Sequence, residues 1–213
     1  MNRIPTKQEM TAALNERHGA LLQQSFTESS IAVCGLGGLG SNIAVSLARA
    51  GIGSLILIDF DCVDISNLHR QQYKVSQIGK PKTEALAENL LEISPYLNIS
   101  AHTVKITEEN CMQLLFNADI ICEAFDAAEE KAMLVNYILE HMPKKYLISA
   151  SGMAGLGSAN NIKTRKIGTH FYLCGDGVSD TADGMGLVSS RVMLCAAHQA
   201  HTALRILAGE FDT

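Results

Sequence analysis

No two of the six cysteines, at positions 34, 62, 111, 122, 174 and 195, stand close enough to form a C-x-x-C pair. Scattered thiols of this kind fit a reducing compartment, where they pack as small hydrophobes, with Cys34 and Cys122 inside strands. No run approaches the roughly 18 uninterrupted apolar residues of a membrane span. The opening MNRIPTKQEMTAALNERHGALL has no continuous hydrophobic core of the kind a secretory signal needs. A cytoplasmic protein with no membrane association is the expectation. Positive charge is scarce as well: 17 Lys and Arg against 22 Asp and Glu leave a net charge of -5. That balance disfavours RNA or DNA as the main partner. There is no low-complexity tract and no internal repeat, which removes disorder and solenoid architectures from consideration.

What is present is an ordinary globular composition, 47% apolar and 18% charged over 213 residues. A chain of this size buries about 70% of its unfolded surface as one domain, so a single domain over 1–213 is expected. The stripe Met10, Leu14, Leu21 predicts one helix over 7–26, on a surface or at an interface. Ser30–Cys34 and the uniformly apolar Ser54–Ile58 read as buried parallel strands around a helix that begins near Ser41 and stops at Gly51. Further on, a helix over 81–93 opens on Pro81, followed by a strand over 99–106, a helix over 108–116, a strand over 119–122, a helix over 129–142 and a strand over 146–149. Alternation of this length implies a Rossmann-like α/β fold with a doubly wound, mostly parallel sheet. After residue 150 the character changes. Two short strands, near 162–164 and 169–173, are expected as a small antiparallel extension. The glycine-rich 175–186 reads as a mobile loop, and 188–207 as a long closing helix.

The stretch from Ile31 to Lys82 carries most of the chemistry. Gly35, Gly37, Gly38 and Gly40 follow a strand and open a helix, where backbone N–H groups approach a phosphate at the positive helix end. Asp59 lies nineteen residues after Gly40, at the end of the second strand, where a carboxylate accepts hydrogen bonds from ribose hydroxyls. These two signals indicate an adenine nucleotide and leave a nicotinamide dehydrogenase open. Asp61, Asn67, Arg70, Gln71 and Lys82 then follow within twenty-three residues of Asp59. That density of phosphate-directed side chains suits a triphosphate, whose α-phosphate charge must be stabilised as pyrophosphate departs. No G-x-x-x-x-G-K-[ST] sequence occurs, which makes Lys82 the candidate phosphate lysine.

G-x-G-G-x-G-S over 35–41, D-F-D-x-V-x-x-S-N-L-x-R-Q over 59–71 and I-G-K-P-K over 78–82 resemble, in that order, the ThiF/MoeB/HesA family, relatives of ubiquitin-activating enzymes. The short length and N-I-K-T-R-K-I-G at 161–168 look most like the short ThiF proteins of thiamine biosynthesis. The resemblance implies ATP-dependent adenylation of the C-terminal glycine carboxylate of a ubiquitin-like sulfur carrier (ThiS-like). Related carboxylates are the alternatives: a molybdopterin-synthase-type carrier or a carboxylate borne on tRNA. It divides the chain into an N-terminal helix (1–28), a nucleotide-binding core (29–150) and a carrier-binding extension with the final helix (151–213).

It also assigns roles. Asp59 takes the ribose; Gly37, Gly38, Gly40, Asp61, Asn67 and Gln71 complete the nucleotide site; Arg70, Lys82 and Asp126 are catalytic, with Asp126 also supporting Mg²⁺. Members of the family tend to act as homodimers, in some of which an arginine of the N-terminal helix reaches the partner's ATP; Arg17 is the candidate for that role here, the other reading being a solvated helix arginine. Longer relatives hold zinc on two C-x-x-C pairs, so no zinc is expected here. Cys174 and Cys195 are read as incidental thiols, with a sulfur-transfer role the lesser reading, and His198 and His201 as packed or surface side chains. The 175–186 loop is a candidate gate for the carrier's tail.

Overall fold

Thr6 starts the first helix chemically: its hydroxyl accepts from the Glu9 amide (3.3 Å) while the Glu9 carboxylate accepts from the Thr6 amide (2.7 Å). This reciprocal cap supports α1 (Lys7–His18), none of whose residues is buried. The single helix expected over 7–26 is in fact two. Gly19 takes φ 86°, a left-handed backbone that breaks the rod, and α2 (Ala20–Glu28) sets off in a new direction to bury Gln23 and Phe26. The computed structural model describes residues 3–212.

From there strands and helices alternate: β1 (Ser30–Cys34), α3 (Gly38–Ala50), β2 (Ser54–Asp59), α4 (Lys82–Ile93), β3 (Asn98–Thr103), α5 (Glu108–Leu115), β4 (Ile120–Glu123), α6 (Ala128–His141), β5 (Tyr146–Ala150), β6 (Lys163–Lys166), β7 (Phe171–Gly175) and α7 (Ser189–Leu207). One sheet takes all seven strands in the order β3-β2-β1-β4-β5-β7-β6. Every pair is parallel except β6–β7. The antiparallel pair does form. It is continuous with the main sheet, because β7 pairs in parallel with β5. Gly51 caps α3 as the sequence indicates, its amide bonding to Ala48 O at 3.1 Å.

Both faces of the sheet are covered, which explains the unbroken apolar runs. Ile31, Val33, Leu55 and Leu57 pack against α3, α4 and α7; Ala32, Cys34, Ile56 and Ile58 pack against α5 and α6. Each fully buried Ile or Leu contributes about 1.5–3 kcal/mol, so the two apolar layers dominate the fold's stability. No helix of the described residues is long and apolar enough to cross a membrane.

The topology also creates the crevice. β1 and β4 are neighbours, but the helix after β1 lies on one face of the sheet and the helix after β4 on the other. Their chains part above the C-terminal strand ends, the position at which open α/β sheets bind ligands.

Candidate active site

Two glycines shape the turn between β1 and α3. Gly35 adopts φ 87°, and a Cβ on it would stand 2.8 Å from the Ala124 carbonyl oxygen. A Cβ on Gly40 would stand 1.8 Å from the Gly35 oxygen, so only glycine lets the helix sit down on its own turn. Gly40 thus packs against its own turn and is not among the residues that line the cavity. Gly37 and Gly38 do line it, at the first turn of α3, where no side chain caps the helix. Those first amides form a positive end for an anion.

Asp59 closes β2 and is 8% exposed. Its carboxylate accepts from the Leu36 amide (2.6 Å) and the Asp61 amide (2.8 Å), which ties the end of β2 to the glycine turn. Tyr73 fixes the same turn by donating to Leu36 O at 2.8 Å, and burial pushes its phenol well above the usual range. Burial also raises the Asp59 carboxyl, and the Asp61 charge adds to that; Lys82 and the two amides oppose it. Lys82, buried at the start of α4, places Nζ 2.7 Å from Asp61 Oδ2 and 3.8 Å from Asp59 Oδ2. Cation and carboxylates thus share one wall.

The turn after Asp64 supplies the rest. Asp64 caps a short helical turn over Ile65–Asn67 by accepting from the Ser66 amide at 2.8 Å. Asn67, Arg70 and Gln71 follow it onto the cavity. Gln71 is 7% exposed and its Oε1 has no hydrogen-bond partner among the described residues. An orphaned buried amide is costly, about 1–3 kcal/mol, unless a ligand completes it. Asp126 sits exposed on the opposite rim, after β4. Among the described residues no group of three His, Cys, Asp or Glu side chains is placed to hold a metal ion by itself. A cation here would draw ligands from a bound phosphate as well as from Asp126.

The cavity encloses about 300 Å³. It gathers Gly37, Gly38, Asp59, Asp61, Asn67, Arg70, Gln71, Lys82 and Asp126, nine residues spread over some ninety positions of sequence. Arg17 lies exposed on α1 and does not line the cavity within one chain. Cys174 and Cys195 are buried, and burial raises both thiols, Cys195 to about 12, so neither is a ready thiolate. His198 packs with its Nδ1 3.0 Å from Thr164 Oγ1, and burial followed by the neighbouring His201 lowers it below the ordinary range.

Two ionic devices were not anticipated. Glu123, the last residue of β4, is fully buried; Lys131 of α6 donates to both its oxygens (2.8 and 2.6 Å), the Phe125 amide to one (2.8 Å), and the Ser149 hydroxyl joins them. The network holds the turn that carries Asp126. The second pair anchors the segment expected to be mobile. Buried Arg191 and half-buried Asp176 meet at 2.6 Å through side chains that are almost wholly covered; Arg191 also donates to Ala154 O and Ser158 O, and Asp176 accepts from the amides of Val178 and Ser179. Burial pushes Asp176 up, but those amides, the Ser179 hydroxyl and Arg191 outweigh it and hold the carboxyl at about 2. A charge closing an apolar strand was the one sequence signal for Glu123. The apolar wall made by Phe60, Phe125, Met153, Leu187 and Val192 had no signal of its own, because these residues come from five separate segments.

Comparison with known proteins places the fold and the family. The chain is 31% identical over 133 residues to the adenylyltransferase and sulfurtransferase MOCS3 of Caenorhabditis briggsae, covering 62% of this chain and 32% of that protein. It is 33% identical over 105 residues to the sulfur carrier protein adenylyltransferase of Thermus thermophilus, covering 49% and 39%. These matches span about a third of the relatives' own lengths. The fold superposes on the E. coli tRNA N6-threonylcarbamoyladenosine dehydratase TcdA in complex with ATP, with a TM-score of 0.86, 21% identity and 98% of each chain covered. The model of the ThiF family matches residues 9–213, and the chain belongs to that family.

Proposed function

We propose that this protein is a nucleotidyltransferase that uses ATP to adenylate the C-terminal glycine carboxylate of a ubiquitin-like sulfur carrier. The observation that carries the reading is the meeting of Asn67, Arg70, Gln71 and Lys82 with Asp59 and the α3 N-terminus around one cavity. A dinucleotide needs only the last two. The names of the sequence relatives, an adenylyltransferase and sulfurtransferase in one case and a sulfur carrier protein adenylyltransferase in the other, support the same chemistry.

In this mechanism the triphosphate lies along the α3 N-terminus and the ribose hydroxyls donate to Asp59. An oxygen of the carrier's carboxylate attacks the α-phosphorus. That bond forms as the bond between the α-phosphorus and the bridging oxygen to the β-phosphate breaks, and pyrophosphate leaves with the electron pair. Arg70 and Lys82 stabilise the negative charge that builds on the phosphates, Lys82 by exchanging its Asp61 contact for a phosphate oxygen. Gln71 is completed by a ligand hydroxyl or a phosphate, depending on which end of its amide faces the site. Asp126 fits Mg²⁺, which typically takes one or two carboxylates and the substrate's phosphates. When bound, the ion supplies charge neutralisation.

A ThiS-like carrier in thiamine thiazole synthesis is the specific proposal, in the cytoplasm, with the enzyme acting as a homodimer in which Arg17 reaches the partner's nucleotide. The alternatives are a molybdopterin-synthase-type carrier and a carboxylate on tRNA. Carrier-dependent exchange of labelled pyrophosphate into ATP tests the reading. Arg70→Ala and Asp126→Ala should each abolish exchange; undiminished exchange in both would sink the assignment. Running the three carboxylate classes side by side separates the substrates.

A further inference from the structure

A nucleotide is a linear object, and two of its parts are assigned by the reading above, on which this inference rests. With phosphates at Gly37 and Gly38 and the ribose at Asp59, a base attached to that ribose would meet Phe60, which follows Asp59 in the chain, and Glu130, both of which line the cavity and touch Lys105. That part of the cavity is not simply apolar. Glu130, in the first turn of α6, has a side chain 22% exposed and lines the cavity. Lys105, in the connection between β3 and α5, donates to Glu130 Oε1 at 2.8 Å and places the same ammonium 5.6 Å from the centroid of the Phe60 ring. One cation therefore holds both a carboxylate and an aromatic face at the same place.

An ordinary reading exists: an acidic residue in a first helical turn, with a surface ion pair worth about 0–1 kcal/mol. It accounts for the charge and the pair, but not for why the carboxylate faces the cavity while its partner covers the adjoining ring. A base needs a flat apolar surface and a polar group at its edge. Phe60 provides the first. Glu130 provides the second, an acceptor with no hydrogen to donate.

We propose that Glu130 selects the base, accepting a hydrogen bond from the exocyclic 6-amino group of adenine, with Lys105 as the positioning residue that fixes the carboxylate and draws Phe60 over the ring. An acceptor-only group favours a purine that carries an amine at that edge.

The test is binding of ATP and of purine riboside 5′-triphosphate, which lacks only the 6-amino group, to the full chain by calorimetry. Wild-type protein should prefer ATP by roughly 10- to 100-fold, the range for a hydrogen bond to a charged group. Glu130→Ala should bring the two affinities to within about threefold by removing that bond. Glu130→Gln, which keeps an oxygen acceptor and the side-chain shape, should retain part of the preference. Lys105→Met should reduce it while leaving the carboxylate in place. A preference for ATP over purine riboside 5′-triphosphate that survives intact in Glu130→Ala, or is absent in wild type, overturns the inference while leaving the proposed function standing. Wild-type protein that binds neither triphosphate overturns both this inference and the proposed function.

Discussion

Replacing Lys131 with Met isolates the contribution of one cation to the turn that carries Asp126. The substitution keeps the stem's bulk on α6 but leaves the Glu123 carboxylate with only the Phe125 amide and the Ser149 hydroxyl as partners. Stranding a buried charge costs about 3–5 kcal/mol. The lower end applies, because the Lys131 side chain is 25% exposed and water can reach the vacated side of the pair. For a domain of 150–250 residues each kcal/mol moves Tm by about 2–4 °C, so about 3 kcal/mol corresponds to about 6–12 °C. Thermal and urea denaturation of the variant measure it. The double variant Glu123→Gln with Lys131→Met removes the charge but keeps the amide and hydroxyl contacts, and should recover more than half of the loss. A single-variant loss below about 1 kcal/mol, the scale of a surface pair, would refute the reasoning, as would a double variant no more stable than the single.

Gly40→Ala places its Cβ 1.8 Å from a backbone oxygen that has no room to yield, and should cost about 3 kcal/mol or more by overpacking; Gly37→Ala, whose Cβ meets only Gln71 Nε2 at 3.7 Å, should keep its melting temperature and lose nucleotide affinity. The Asp176–Arg191 pair has a definite pH signature. Its carboxyl is held at about 2 against an ordinary 3.8, so its stabilising contribution is complete above pH 3.8 and is lost as the pH falls through about 2. Asp176→Asn should remove that part of the acid dependence and speed proteolysis of 151–158 and 175–180 at neutral pH; unchanged cleavage rates would show that the pair does not anchor those segments.

The parts of the site that were legible in the sequence share one property: their chemistry depends on neighbours in the chain. The glycine turn, Asp59 at a strand end and the Asn67, Arg70, Gln71 run are local arrangements, and alternating apolar strands and helices set the parallel sheet that carries them. Strand and helix positions followed for the same reason, and the sheet order then brought Asp126 to the same cavity from some forty residues beyond Lys82. What was not legible depends on distance. Glu123 and Lys131 read as one strand-end acid and one helix lysine until β4, β5 and α6 are packed together. Gly19 reads as part of a helix because one glycine costs only about 1 kcal/mol there, and its left-handed φ is decided by where α2 buries Phe26. The packing of Gly40 on Gly35 was not legible either, because the motif does not distinguish a glycine that approaches a phosphate from one that approaches its own turn. Arg17 does not line the cavity within one chain, and the role proposed for it would require a second.

In the proposed reaction the cavity between the ends of β1 and β4 activates a carboxylate with ATP. Mass spectrometry of a ubiquitin-like carrier ending in glycine, incubated with the full chain, ATP and Mg²⁺, tests it most directly. The expected product is a carrier heavier by one adenylyl group, with pyrophosphate released in equal amount and both lost in Asp126→Ala. Carriers of every candidate class left at their original mass, with no pyrophosphate released, would contradict it.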